Sequence, residues 1–372
     1  MFARDRRYRL RAGGNDTFVT ESAKRAAVTT LVVGGVVVLA VALWRIRLVV
    51  ALLFFAFIIA AAMRPGVEAM RRRRVPRGIG IGLHYLVFFA FVTTVLWLVV
   101  PRATDQVTTA VQSLPSSQEE LEAEASRSSG LRREALEGVQ ARLEELPSAN
   151  ELVDPALELG LIGFEIAIGI FFVLACGAYW IFERDRAVDL VTSLIPRPRR
   201  KKVRDTWDLI DLKLGAYVRG QALLIVAVGT VLSLAFWAIG LPYWLLIGVF
   251  AGVVEIVPVI GPLLAGAVAV GVGLTVSWQL GLAAGLIVLA ARLIEDYIVI
   301  PRVLGDAVGL SPLLVLVSIT STAILFGEFA VLLAIPLAAV LATLVDVIVR
   351  GKDPAREDVP AVIFSARDSE TA

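Results

Sequence analysis

The chain has 372 residues, of which 58% are hydrophobic, a formal net charge of +2 and a mean hydropathy of +0.79. It is too apolar for a soluble globule and long enough for about seven to ten membrane spans. The small net charge supplies no global field for nucleic acid, and one cysteine and one histidine exclude an intrachain disulfide and a multi-histidine metal site.

Cys176, in GIFFVLACGAYW, reads as a small buried thiol, and His84 as a satisfied or interfacial histidine at the head of a span. No Walker loop, G-x-S-x-G or H-E-x-x-H occurs, so neither a nucleotide nor catalysis is indicated and no cofactor is expected. The expected fold class is an all-α, polytopic integral membrane protein with re-entrant or interrupted helical hairpins.

Residues 1–25 carry Arg4, Arg6, Arg7, Arg9, Arg11, Lys24 and Arg25 and read as a cytoplasmic tail. Residues 26–101 supply the N-terminal spans. Ala26–Trp44 ends in Ala40-Val41-Ala42, which looks like a signal-peptidase site, but its apolar core exceeds the ~7–15 residues of a signal sequence, so an uncleaved helix is expected. A tight turn at Arg45 and Arg47 then returns the chain through Leu48–Met63. Arg64, Arg71, Arg72, Arg73, Arg74 and Arg77 share a short loop, the strongest positive-inside signal in the chain. That block needs only topology and general attraction to the inner leaflet, with no specific lipid site. Ile79–Val100 crosses outward and is expected to stop at Pro101.

Acidic residues outnumber basic ones over 102–156, as suits an extracytoplasmic segment. Leu136, Val139, Leu143 and Leu146 form one apolar stripe at helical spacing, and Ser116 with Glu119 fits a capping box. Two short helices packed on the membrane or on a neighbouring subunit of a homo-oligomer are expected. Residues 157–182 cross inward, with Glu165 near the outer end. Residues 183–215 form a cytoplasmic amphipathic segment, with Val203, Trp207, Ile210 and Leu214 on one face and Arg204, Asp205, Asp208 and Asp211 on the other. It should lie along the inner interface. Ala216–Ile239 crosses outward, with Arg219 placed to snorkel.

The C-terminal core, residues 216–349, changes character after Leu241. The arms Pro242–Val257 and Pro262–Ser277 are each about sixteen residues, roughly 24 Å as helix and short of a ~30 Å hydrocarbon core. Between them PVIGP interrupts the helix, so a re-entrant hairpin fits better than two full spans. Pro258, Gly261 and Pro262 leave backbone groups that protein or water must satisfy. Gln279–Ile300 crosses inward to Pro301-Arg302. A second unit has a similar layout: GLSP opens an arm at Pro312, FGE interrupts, and Phe329–Val349 returns through Pro336. Paired interrupted segments suit transporters built from internal repeats. Residues 350–372 read as a disordered cytoplasmic tail.

Seven ionisable residues sit in apolar context: Glu255, Arg292, Glu295, Asp296, Arg302, Glu328 and Asp346. Arg292 lies roughly 12 Å from the inner end of its span at ~1.5 Å per residue, too deep for snorkelling. Glu295 and Asp296 follow three and four residues on, where they can pair with it. Glu255, Arg292, Glu295 and Asp296 are the transport or coupling candidates. Glu295 serves equally well as a structural partner of Arg292. The expected device is a buried cluster whose acid takes a proton, loosens its hold on Arg292 and lets the interrupted hairpin move.

The segments GAYVRGQALL, GLPYWLLIG, VPVIGPLLA, IEDYIVIPRVLG, GLSPLLVLVS and LLAIPLAAVL occur in that order. In them the chain resembles the autoinducer-2 exporter family of bacterial membrane proteins, over Arg45 to Val349. The resemblance implies a multi-pass permease of the bacterial inner membrane with both termini cytoplasmic. Its partners would be the lipid bilayer, a small-molecule solute, and H+ or Na+ as in the family's sodium/proton antiporters. The chain departs from the commoner family pattern in the acidic pair Glu295-Asp296 and in Glu328, which leaves room for cation or proton coupling. A protein of another class, a membrane organiser that binds partners without transport, is the alternative; the deep charges favour a transporter.

Overall fold

The computed structural model describes residues 15–112, 153–257, 260–303 and 310–362, and no strand occurs among them. Helices α1 (Asn15–Arg45), α2 (Arg47–Arg72) and α3 (Arg77–Gln112) precede the long helices α4 (Val153–Ser193) and α5 (Arg197–Ala238). Then come the short α6 (Trp244–Val254), α7 (Ile260–Val276) and α8 (Trp278–Ile294). A π turn over Glu295–Val299 joins α8 to α9 (Ile300–Val303), and α10 (Pro312–Phe326), a 3-10 segment (Glu328–Leu333) and α11 (Ala334–Ile348) follow. Six segments among the described residues are long and apolar enough to cross a bilayer, which makes this a polytopic all-α membrane protein. The apolar stripe at Leu136–Leu146 and the Ser116–Glu119 box lie outside the described residues.

The chain divides into two units, residues 1–51 and 52–372. In the first, the tight turn expected at Arg45 and Arg47 is instead a single non-helical residue, Ile46. Helical hydrogen bonds carry across it, from Ile46 N–H to the Ala42 carbonyl at 3.1 Å and from Val50 N–H to the Ile46 carbonyl at 3.0 Å. Trp44-Arg45-Ile46-Arg47 contains no Gly or Pro, so nothing in it compels the chain to reverse. The Arg47 guanidinium lies 5.1 Å over the Trp44 ring, a cation–π contact across that residue.

Several expected breaks are also helix in the second unit. The arginine-rich loop narrows to Arg73–Pro76, because α2 runs through Pro65 to Arg72 and Arg71 pairs with Glu68 one turn back at 3.1 Å. Pro101 does not end α3. Arg102 donates to the Leu98 carbonyl at 2.9 Å and Thr104 to the Pro101 carbonyl at 2.8 Å, so side chains bond carbonyls around the proline.

The amphipathic segment is not a separate element: residues 183–193 end α4, and its amphipathic stretch Val203–Leu214 belongs with the next span to α5, one 42-residue helix of roughly 63 Å. An unbroken helix that crosses the bilayer carries its polar end out of the membrane rather than along it. Trp207 stacks on Trp180 of α4 at 6.2 Å. The polar face packs through ion pairs: Arg184 of α4 binds Asp208 and Asp211, Arg64 reaches Asp211 at 3.3 Å, and Arg204 binds Asp189.

Beyond α5, Gly240 (φ 71°) turns the chain so that α6 packs antiparallel on α5, α7 on α6, and α8 on α7. Leu232, Phe236, Leu241, Ile247, Ala251, Ala265, Ala269 and Ala284 form their shared core. At 11 and 17 residues, α6 and α7 span roughly 17 and 26 Å, the interrupted hairpin expected. Its break is displaced, however. Helix α6 ends at Val254 and α7 already begins at Ile260, so Gly261 and Pro262 are helical. Proline is tolerated in a first turn because its missing N–H would have no intrahelical acceptor there. Pro336 likewise sits buried in the first turn of α11, and Pro312 opens α10.

The C-terminal tail also differs from expectation up to residue 362. Residues 350–362 follow α5: Lys213 binds Glu357 at 2.8 Å, and Val362 packs on Ala216. Arg219 does not snorkel. It is buried and donates to the Val362 carbonyl at 3.0 Å and the Ala62 carbonyl at 3.1 Å, because the docked tail and α2 offer acceptors where solvent was expected.

Candidate functional site

Three carboxylates converge on one guanidinium. Arg292 of α8 reaches Glu255 Oε1 and Glu295 Oε2 with Nη1, each at 3.3 Å, and Asp296 Oδ1 with Nη2 at 2.8 Å. Glu255 comes from 37 positions earlier, at the end of α6, so the hairpin and the following helix together build the cluster. Glu255 is 4% exposed and Glu295 5%, while Asp296 faces outward on the same helix. All four sequence candidates are therefore brought together. Glu295 is as central as the others, bonding the same Arg292 nitrogen that holds Glu255.

The local backbone explains the convergence. Glu295 and Asp296 occupy a π turn in which the Ile300 N–H reaches back to the Glu295 carbonyl. Pro301, next in line, has no N–H and crowds the carbonyl four residues before it, and such a clash favours a widened turn. Pro301 and Arg302 are themselves exposed. Glu255 caps α6 at the tight α6–α7 junction, where a Cβ on Gly261 would overlap the Val254 carbonyl and fall 3.0 Å from the Glu255 nitrogen. Gly261 is therefore required by close approach. Pro258, beside it, lies outside the described residues.

Sequence reasoning missed Gln221. Buried on α5, its Nε2 donates to the Glu255 backbone carbonyl at 2.9 Å and ties the cluster to the longest helix. The signal was present: an amide side chain inside the apolar run GQALLIVAV needs a partner. Also missed was the ionic cluster at the other end of α5, where Arg184 and Asp211 are 7% and 4% exposed. Asp208 and Asp211 were expected on the polar face of a helix lying along the inner interface. Asp346, expected to anchor at an interface, pairs with Arg350 at 3.0 Å and Lys352 at 2.7 Å, and His84 is satisfied by the Gly80 carbonyl at 2.8 Å.

Chemically, the cluster sets three carboxyl groups against a single guanidinium.

Comparison with known proteins agrees with this membrane setting. Residues 34–350 match the family profile described as AI-2E family transporter. "Putative transport protein YrrI" of Bacillus subtilis is 24% identical over 78% of this chain and 83% of its own length. "Putative transport protein YueF" of the same organism is 25% identical over 78% and 82%. "Putative permease PerM" of Escherichia coli K12 is 23% identical over 55% and 58%.

Proposed function

The chain belongs to the AI-2E transporter family, and from that premise we propose that it is a secondary transporter that exports a small solute across a bacterial inner membrane, coupled to a proton or sodium ion. The observation that carries this reading is the set of Glu255, Glu295 and Asp296 around the one Arg292. A charge at mid-membrane costs about 2.5–3.5 kcal/mol even on the lenient insertion scale, so an unbalanced group of four is an expensive way to staple helices. A structural ion pair needs one acid; a coupling site needs spare ones. Binding a proton or cation lowers the claim of the acids on Arg292, and the α6–α7 hairpin, tethered through Glu255, is then free to shift against α8.

The arginine-rich loops support an orientation with both termini, Arg73–Pro76 and the α4–α5 turn in the cytoplasm and residues 113–152 outside. Sodium/proton antiport without a separate solute is the second reading, favoured by the surplus of carboxylates. Proteoliposomes containing pyranine test both: autoinducer-2 efflux, and internal pH change on an imposed sodium gradient, are compared with protein-free liposomes. Flux of either above the blank supports transport, and flux of neither from correctly inserted protein contradicts it.

A further inference from the structure

A cavity of about 1130 Å³ lies between α2, α4, α5 and α11, away from the charge cluster. Phe54, Trp180, Trp207 and Leu344 are among its apolar walls, and its only charged lining residues are cations, Arg199 and Lys202, near the start of α5. No carboxylate lines it. The Arg199 guanidinium makes no ion pair among the described residues, and Lys202 Nζ donates to the Val347 carbonyl at 2.9 Å, leaving two of its three protons uncommitted in that geometry.

We propose that this cavity binds one anionic phospholipid of the cytoplasmic leaflet, its phosphate at Arg199 and Lys202 and an acyl chain along Trp180 and Trp207. The volume is at the upper end for small-molecule sites, and the walls lack the convergent polar groups that would orient a compact polar solute. An amphipathic anion matches both halves: an apolar body for the walls and a negative head for the two cations. Cations beside the cytoplasmic headgroup layer attract anionic lipid, which favours this occupant over a neutral one. The inference does not depend on transport.

The test is native mass spectrometry of the protein released from nanodiscs of equimolar phosphatidylglycerol and phosphatidylcholine with identical chains. One phosphatidylglycerol should be retained per chain in preference to phosphatidylcholine. Arg199→Gln with Lys202→Gln should weaken that preference by about 25-fold, about fivefold per cation. Lys202→Arg, which keeps both the charge and a donor for Val347, should leave it intact. Equal retention of the two lipids by the wild type, or an undiminished preference in the double variant, would overturn the proposal by making the lipid merely annular. Interchain crosslinking of Leu344→Cys in a Cys176→Ala background would also overturn it, since the occupant would be a second copy. So would displacement of the lipid by autoinducer-2, which would make the cavity a solute site.

Discussion

Gln221 and Glu255 are joined by a buried hydrogen bond, the amide of one to the backbone carbonyl of the other at 2.9 Å. The bond fixes the end of α6 to α5 at the residue whose side chain holds Arg292, so Gln221 positions the cluster without entering it. Gln221→Leu removes the donor and leaves a buried carbonyl unpaired, a cost of about 1–3 kcal/mol. A lower Tm in detergent and reduced flux are expected. Gln221→Asn, which shortens the reach, should fall between. Unchanged Tm and flux in Gln221→Leu would show that the carbonyl finds another partner.

Gly261 makes a second demand on the same junction. Any Cβ there meets the Val254 carbonyl, so Gly261→Ala must spread α6 from α7 and carry Glu255 away from Arg292. Gly261→Leu should insert in amounts near wild type but lose most of its flux. Wild-type flux in that variant would mean that the junction is only a connector.

In the N-terminal half of α5, Arg184 binds Asp211 Oδ2, Asp208 and Asp185 at once, while Asp211 Oδ1 is buried without a hydrogen-bond partner. Removing it as Arg184→Met leaves buried Asp211 with only the more distant Arg64 at 3.3 Å, and loss of one partner of a buried ion pair typically costs about 3–5 kcal/mol. The double variant Arg184→Met with Asp211→Leu should recover much of the lost thermal stability, because an apolar pair needs no counter-charge. A double variant less stable than the single would contradict this account.

The docked tail gives a pH dependence of known sign. The hydrogen bond from Lys213 is the largest of the influences holding the Glu357 carboxyl below its ordinary range, with Lys213 and Lys352 charges adding to it. A depressed carboxylate stabilises the docked state fully above its free value of about 4.3, and that stability is lost as pH falls through the lower docked value. A spin label at Pro360→Cys, in a Cys176→Ala background, should therefore be immobile at neutral pH and become mobile only under acid conditions. Glu357→Gln should mobilise it at neutral pH. A label equally immobile in both proteins at all pH would show that Arg219 and the Val362 packing hold the tail alone.

The fold class and four of the site residues were readable from the sequence because they rest on local signals. Apolar runs of span length, and an arginine followed at three and four residues by acids, have one sensible geometry on a helix. Glu255 could be nominated because an acid beside PVIGP in an apolar run is anomalous, although its meeting with Arg292 is a tertiary fact. What could not be read were cases where tertiary contacts outvoted a local breaker. Pro101 and Pro262 were taken as stops, yet side-chain bonds to nearby carbonyls, or a place in a first turn, made each compatible with helix. Asp211 looked like part of an interfacial polar face because the sequence does not show that Arg184 and Arg64 lie opposite. The π turn is invisible to periodicity, since one inserted residue before Pro301 leaves the apolar pattern around it unchanged.

The coupling role of the cluster is tested most directly by flux from Arg292→Gln and Asp296→Asn proteoliposomes, matched for insertion and followed across pH with and without a sodium gradient. If the acids couple transport, the two must fail differently. Asp296→Asn should lose its ion dependence, whereas Arg292→Gln, whose three carboxylates then face one another without a counter-charge, should keep flux with its pH optimum moved upward. Wild-type flux with unchanged pH dependence in both variants would contradict the account and reduce the cluster to a structural ion pair.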